Sequence, residues 1–204
     1  EKVFTINVTD VNEAPASITL DNETVEENAR AGTVVGRLTG TDPEGDKLTF
    51  ALAEDDDTVD NEKFSLKSPT LSTTEVLDAD TNPTLTVRLV ATDPDGLSFE
   101  QDVTISVTNI NEAPTDITLA PSTVGENLPA GTEVGVLTTV DPDSEDIFSY
   151  KLISGTGDYD NSSFAIDSAS GTITTSETFD FESKSQYSIR VESKDAGGNK
   201  FTKA

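Results

Sequence analysis

Apolar and polar residues alternate along much of this chain with a period of two. Val103, Ile105 and Val107 alternate with Thr104, Ser106 and Thr108; Leu85, Val87, Leu89 and Ala91 do the same, as do Tyr187, Ile189 and Val191. A strand with one buried and one wet face gives this spacing, because successive side chains point to opposite faces. Turn residues separate the runs: Asp42-Pro43-Glu44-Gly45, Asp93-Pro94-Asp95-Gly96, Asp141-Pro142-Asp143 and Asp195-Ala196-Gly197-Gly198. No segment carries a helical period. Short strands punctuated by turns at about ten-residue spacing predict an all-β fold of Greek-key β-sandwiches.

The pattern is written twice. Asn12-Glu13-Ala14-Pro15 returns as Asn111-Glu112-Ala113-Pro114, an offset of 99 that also carries Ile18-Thr19-Leu20 onto Ile117-Thr118-Leu119 and Glu27-Asn28 onto Glu126-Asn127. Small insertions move the offset to 100 at Phe64 and Phe164, and to 102 at Asp93 and Asp195. A period of this size is a whole domain. Residues 16–114 are expected to form one sandwich and residues 115–204 another, end to end. In residues 1–15, Phe4, Ile6 and Val8 fall on Val103, Ile105 and Val107, so this segment reads as the closing strand and linker of a preceding repeat. The second copy reads as lacking its own last strand, which would begin just past Phe201, the counterpart of Phe99; an insertion splitting that copy would read the same way. One orphan strand and one gap suggest strand-exchange self-association, head to tail.

Charge narrows the partners. The 39 acidic residues outnumber 13 basic ones, giving a formal net charge of −26 with no histidine. No basic stripe exists to meet phosphate, so nucleic acid and anionic membrane surfaces are excluded as partners. No stretch approaches the roughly 20 apolar residues of a membrane helix, so no membrane insertion is expected in this segment. Cysteine is absent as well. Serine-, cysteine- and zinc-type catalysis therefore lack their usual bases and ligands, and the chain is not read as an enzyme. What remains are hard oxygen donors, which suit calcium or magnesium.

Five acidic motifs occur in one order, twice. They are Val25-Glu26-Glu27-Asn28 and Val124-Gly125-Glu126-Asn127; Asp42-Pro43-Glu44 and Asp141-Pro142-Asp143; Leu77-Asp78-Ala79-Asp80 and Phe179-Asp180-Phe181-Glu182; the aspartates Asp93 and Asp195 ending a strand; and the linkers Asp10–Pro15 and Asn109–Pro114. In this the chain resembles tandem cadherin repeats, in the variant common in large bacterial surface proteins. The resemblance implies immunoglobulin-like sandwiches with Ca²⁺ bound where repeats adjoin. It assigns one complete ligand set: Glu27, Asp78, Asp80, Asn109, Asn111, Glu112, Asp141, Asp143 and Asp195. Two half-sets remain, Asp10, Asn12, Glu13, Asp42, Glu44 and Asp93 in one and Glu126, Asp180 and Glu182 in the other. Both linkers are one residue shorter than the family's, and Asp80 is shorter than its glutamate, so fewer or weaker ions are expected.

The function this implies is a calcium-rigidified extender or adhesion segment of a secreted or cell-surface bacterial adhesin, extracellular, with neighbouring repeats of the same protein as its partners. The alternative is a recognition module that binds glycan or protein directly, or homophilic cell–cell adhesion. Smaller signals are read blandly. Glu54-Asp55-Asp56-Asp57 with Asp60-Asn61 is expected to be a solvated loop, while Asp158 and Asp160-Asn161 hint at another ion. Asn7-Val8-Thr9, Asn22-Glu23-Thr24 and Asn161-Ser162-Ser163 match the glycosylation sequon.

Overall fold

A computed structural model describes residues 2–54, 59–143 and 146–204; Asp55, Asp56 and Asp57 of the acidic run lie outside the described residues. The chain divides into two compact units, Glu1–Ile110 and Asn111–Ala204. Residues 2–16 belong to no strand, and Val3, Phe4, Ile6 and Val8 are all exposed.

The described residues of the first unit form β1 (Ser17–Leu20), β2 (Thr24–Glu26), β3 (Val34–Thr41), β4 (Thr49–Leu52), β5 (Phe64–Lys67), β6 (Thr70–Thr73), β7 (Thr84–Thr92) and β8 (Ser98–Thr108). They form two sheets, ordered β1-β3-β6-β5 and β2-β8-β7-β4. Strand β8 is antiparallel to β7, from Thr84 opposite Ser106 to Thr92 opposite Ser98, and parallel to β2, with Val25 opposite Val107. The period-two residues do what their spacing demands. Ile18, Leu38 and Leu71 on one sheet and Leu85, Val87, Leu89 and Ile105 on the other are each at most 2% exposed. They share one core with Val103 and Val107. Removing such side chains from water is the main favourable term in folding, about 1.5–3 kcal/mol for each Val, Leu or Ile.

The described residues of the second unit form β9 (Asp116–Ala120), β10 (Glu133–Val140), β11 (Ser149–Leu152), β12 (Phe164–Ile166), β13 (Thr172–Thr175), β14 (Val191–Lys194) and β15 (Lys200–Lys203). Its sheets are β12-β13-β10-β9 and β11-β14-β15. The core is smaller, built on Ile117, Val134, Leu137, Tyr150, Ile173 and Val191. Leu119, Val124 and Phe164 are only half-buried, whereas their counterparts Leu20, Val25 and Phe64 are buried.

Local backbone demands explain several repeated residues. Asn28 and Asn127 both sit at φ 59°, in the left-handed region that asparagine tolerates better than most residues. There their N–H groups reach Leu77 O and Phe179 O. A Cβ on Gly36 would lie 2.7 Å from Asn22 O, and one on Gly135 only 2.0 Å from Pro121 O, so only glycine fits either crossing.

Asn61 and Asn161 pin their preceding turns. Each side-chain amide donates to a carbonyl, of Ala53 or Ile153, and accepts from the N–H of Arg88 or Arg190. Asp160 accepts from Ser188 N–H and pairs with Lys184, so a cation is already supplied where another ion was suspected. Asn22, like Asn161, has its amide nitrogen engaged inside the fold, donating to Thr24 O and Val35 O.

Ile105→Ala removes a fully buried side chain from β8. It is expected to destabilise the first unit by about 2–5 kcal/mol, read as an earlier transition in chemical denaturation of the whole chain. Thr104→Ala, on the wet face of the same strand, is expected to shift that transition by less than about 0.5 kcal/mol.

Candidate metal centres

In the first unit, Asp42 opens a turn. Its Oδ1 accepts from the N–H groups of Glu44 (3.0 Å) and Asp46 (3.3 Å), the local bond that makes aspartate a turn residue ahead of proline. Its Oδ2 is buried and has no hydrogen-bond partner among the described residues. Around it, Glu44 Oε2 accepts from Glu13 N–H at 3.2 Å, and Asp93 Oδ2 accepts from the Asn12 amide at 2.8 Å. Asp10 is exposed and joins none of these contacts.

The second unit repeats the arrangement. Asp141 Oδ1 accepts from Asp143 N–H at 3.0 Å, and Asp141 Oδ2 is again buried without a hydrogen-bond partner among the described residues. Asp143 Oδ2 accepts from Glu112 N–H, and Asp195 Oδ2 from the Asn111 amide, both at 2.8 Å. Carboxylate oxygens of Asp141, Asp143 and Asp146 all lie within 4.8 Å of one another. Two oxygens on a single calcium ion can be at most about 5 Å apart, twice the longest Ca–O distance. The spacing and the all-oxygen donor set both fit that ion.

A second acidic set closes the other end of each unit's motif series. Glu27 is 1% exposed; its Oε2 accepts from Ala79 N–H at 2.7 Å and its Oε1 from Ile110 N–H at 2.6 Å. Asp78 caps its own turn, taking the N–H groups of Asp80 and Thr81 on Oδ1 and the Thr81 hydroxyl on Oδ2. Oxygens of Glu27, Asp78 and Asp80 lie within 4.8 Å of one another, and Asn109 donates to Asp80 at 3.5 Å. In the second unit the corresponding cluster is Glu126, Asp180 and Glu182. There Glu126 is exposed and accepts from Phe181 N–H.

The electrostatics separate the acids into two kinds. Hydrogen bonds from Thr81 hold Asp78 below the ordinary aspartate range, and the Asn12 amide does the same for Asp93. Asp141 is pushed up, first by burial and then by the charges of Asp143 and Asp195. Burial likewise raises Asp46, with the charge of Asp42 adding to it, and Asp146, with the charge of Asp195. A carboxylate held up by burial and like charge is one whose ionised form gains when a cation arrives.

Asp46 and Asp146 were not among the acids singled out from the motifs. They recur at an offset of 100, after the insertion, so the signal was an aspartate four residues beyond Asp42 and five beyond Asp141. Asn199 was missed too; its amide donates to Asn111 O and Glu112 O and holds the linker in place. Its counterpart is Leu97, so no repeat marks it.

Residues 121–203 match the cadherin domain family, and the internal repeat carries the same acidic motifs through the first unit. The chain belongs to the cadherin family. Cadherin EGF LAG seven-pass G-type receptor 2 of Homo sapiens is 33% identical over 186 residues, and Protocadherin Fat 1 of Homo sapiens is 30% identical over the same length. Each alignment covers 85% of this cadherin chain, which spans only 6% and 4% of those two proteins. The crystal structure of human protocadherin-24 EC1-2, form II, has the same fold: TM-score 0.70 at 21% identity, covering 95% of both chains.

The raised Asp141 gives a signed prediction for the metal-free repeats. The folded state holds that proton more tightly than the unfolded state. The cost of ionising Asp141 is thus absent below the ordinary aspartate value and fully present once pH has risen through the folded value. Asp141→Asn is expected to raise the thermal midpoint of the metal-free protein at neutral pH and to leave it unchanged near pH 3, well below the ordinary aspartate value. A lowered midpoint at neutral pH would contradict this.

Proposed function

We propose that this chain is a calcium-stiffened extender and adhesion segment, with Ca²⁺ held at the junctions between its repeats. The observation that carries this reading is the pair Asp42 and Asp141. At the same place in each repeat, one carboxylate oxygen is spent on a turn while the other is buried without a hydrogen-bond partner among the described residues. Left as it is, such an oxygen costs free energy, and a divalent cation is the ligand that reverses the sign.

The ligands proposed for the ion set of the complete junction are Glu27, Asp78, Asp80 and Asn109 before the linker's midpoint, with Asn111, Glu112, Asp141, Asp143 and Asp195 after it. To these we add Asp146. Asp42, Glu44, Asp93, Asn12 and Glu13, joined by Asp46, are the half-set proposed to face a preceding repeat; Glu126, Asp180 and Glu182 are the half-set proposed to face a following one. Calcium drawing ligands from both sides of a short linker replaces repulsion between acids with a shared bond, and a flexible joint becomes stiff. The setting proposed is the outside of a cell, where calcium suffices for modules of this kind, whose dissociation constants run near 10⁻⁴–10⁻³ M. We place the parent among secreted or surface-anchored bacterial adhesins on the resemblance of its motifs to the repeats of such proteins. The relatives named above are animal proteins.

At about 10 mM Ca²⁺, dissociation constants in that range add about 1.4–2.7 kcal/mol per site, which is about 5–20 °C in thermal midpoint for domains of this size. That rise is expected for the whole chain and is expected to vanish on adding EDTA, while solution scattering reports a stiffer particle with calcium than without. Asp141→Asn and Glu27→Gln should each remove a large part of the calcium-dependent rise. A midpoint indifferent to both calcium and EDTA would end this reading.

A further inference from the structure

Three core positions change together between the two units. In the first they are Gly40 on β3, Phe50 on β4 and Ala91 on β7, none of which carries a hydroxyl. Their counterparts, at offsets of 99, 100 and 102, are Thr139 on β10, Tyr150 on β11 and Ser193 on β14. Each exchange adds one hydroxyl, and the three hydroxyls meet. Thr139 Oγ1 donates to Tyr150 OH at 3.0 Å and so accepts from Ser193 Oγ at 2.6 Å. Ser193 is fully buried and Tyr150 is 6% exposed. The first unit has no room for the same device. A Cβ on Gly40 would lie 2.7 Å from both Leu48 Cδ1 and Ser17 O, and apolar contacts of Leu48 and Phe50 close the core at that level.

The place of this network in the sandwich gives it a consequence. Strand β10 belongs to one sheet of the second unit, β11 and β14 to the other, so the bond between Thr139 and Ser193 crosses from sheet to sheet. Two residues past Thr139 is Asp141, and two residues past Ser193 is Asp195. Residues two apart in a strand point to the same face, about 6.6 Å from one another. The crossing bond therefore lies one pleat from both acids, on the two strands that deliver them. After burial, the charge of Asp195 is among the causes that raise Asp141 and Asp146. Both of those residues also have a buried Oδ2 with no hydrogen-bond partner among the described residues. Like charges on facing strands push the sheet ends apart, and a hydrogen bond between the sheets opposes them. Away from water such a bond is strong, and a satisfied network admits few alternative packings.

We infer that Thr139, Tyr150 and Ser193 are positioning residues for the acidic set of Asp141, Asp143, Asp146 and Asp195. They fix the separation of β10 from β14, and with it the spacing of the carboxylates that a cation would gather. The inference rests on the calcium reading above and adds to it three residues that supply no ligand. Groups that orient metal ligands matter to affinity nearly as much as the ligands do, because a set already spaced for the ion needs less ordering when the ion arrives.

The test compares the whole chain with the triple variant Thr139→Val, Tyr150→Phe, Ser193→Ala. It removes the three hydroxyls at once, so none is left stranded, and keeps side chains of nearly the same shape. Phe and Ala already stand at two of these places in the first unit, as Phe50 and Ala91. An NMR titration with calcium chloride follows the amides of Glu112 and Asp143, each bonded to a carboxylate of the set. The triple variant is expected to need about 10-fold more calcium for half the shift, the lower end of what losing a ligand's orienting partner costs. Thr139→Ser keeps the hydroxyl and is expected to titrate with the natural chain. Ile173→Val trims a fully buried residue of the same core and is expected to leave the midpoint unmoved. In EDTA, the amides of Asp143 and Asn199 hold Asp141 and Asp195 in their turns. They are expected to exchange about 10-fold faster in the triple variant, a readout that no metal enters. A triple variant that titrates with the natural chain overturns the inference. So does an Ile173→Val shift of the same size, and so does unchanged exchange in EDTA. Amides of the natural chain that ignore calcium would instead end the calcium reading, and this inference with it.

Discussion

An aspartate that spends one oxygen closing its own turn has one oxygen left. At Asp42 and Asp141 that oxygen is buried. Turn formation at Asp-Pro fixes where the side chain goes, because the local N–H groups two and four residues on claim Oδ1 and aim Oδ2 away from water. Neighbouring acids are then drawn into the same space by the same device: Glu44 through the Glu13 N–H, Asp143 through the Glu112 N–H, and Asp93 and Asp195 through the amides of Asn12 and Asn111. Each of these bonds is favourable alone. Together they gather like charges, which add to burial in raising Asp46, Asp141 and Asp146 above the ordinary aspartate range. The donors gathered there are all oxygens, in a chain without histidine or cysteine, and such a set suits a hard cation better than a soft one.

The sheets impose a second constraint, independent of charge. A strand's free edge exposes donors and acceptors at the strand spacing, and the side chains beneath lose part of their cover. Leu119, Val124 and Phe164 of the second unit are half-buried, whereas Leu20, Val25 and Phe64 of the first are buried. In the first unit β8 turns Val103, Ile105 and Val107 inward and finishes the core.

What the sequence made legible follows from these two constraints. Alternation at Leu85–Ala91 and Val103–Val107 was readable because half-buried strands have a period of two whatever surrounds them. β7 and β8 carry that local signature, whereas β14, with three successive residues buried, does not. Burial of Glu27 was not readable, because it is satisfied by backbone N–H groups of Ala79 and Ile110 that any residue type can supply. Asp146 slipped out of the 99-residue alignment through one inserted residue, and Asn199 has no counterpart to flag it. Asp160 points the other way. Its sequence looks like a ligand's, yet Lys184 and the Ser188 N–H already satisfy it, a pairing that only the fold brings together.

The closing strand and the acidic ends are joined in one more respect. In the first unit the chain leaves β8 at Thr108, and two residues later the N–H of Ile110 meets Glu27 Oε1. The strand that completes the sheet therefore also delivers the donor that holds Glu27 buried and oriented beside Asp78 and Asp80. Glu126, in the second unit, accepts from Phe181 N–H and stays exposed beside Asp180 and Glu182. A carboxylate held by one donor samples more orientations than one held by two. Core closure and the placing of Glu27 are thus one problem in the first repeat: the strand carries the linker, and a linker N–H holds the carboxylate still.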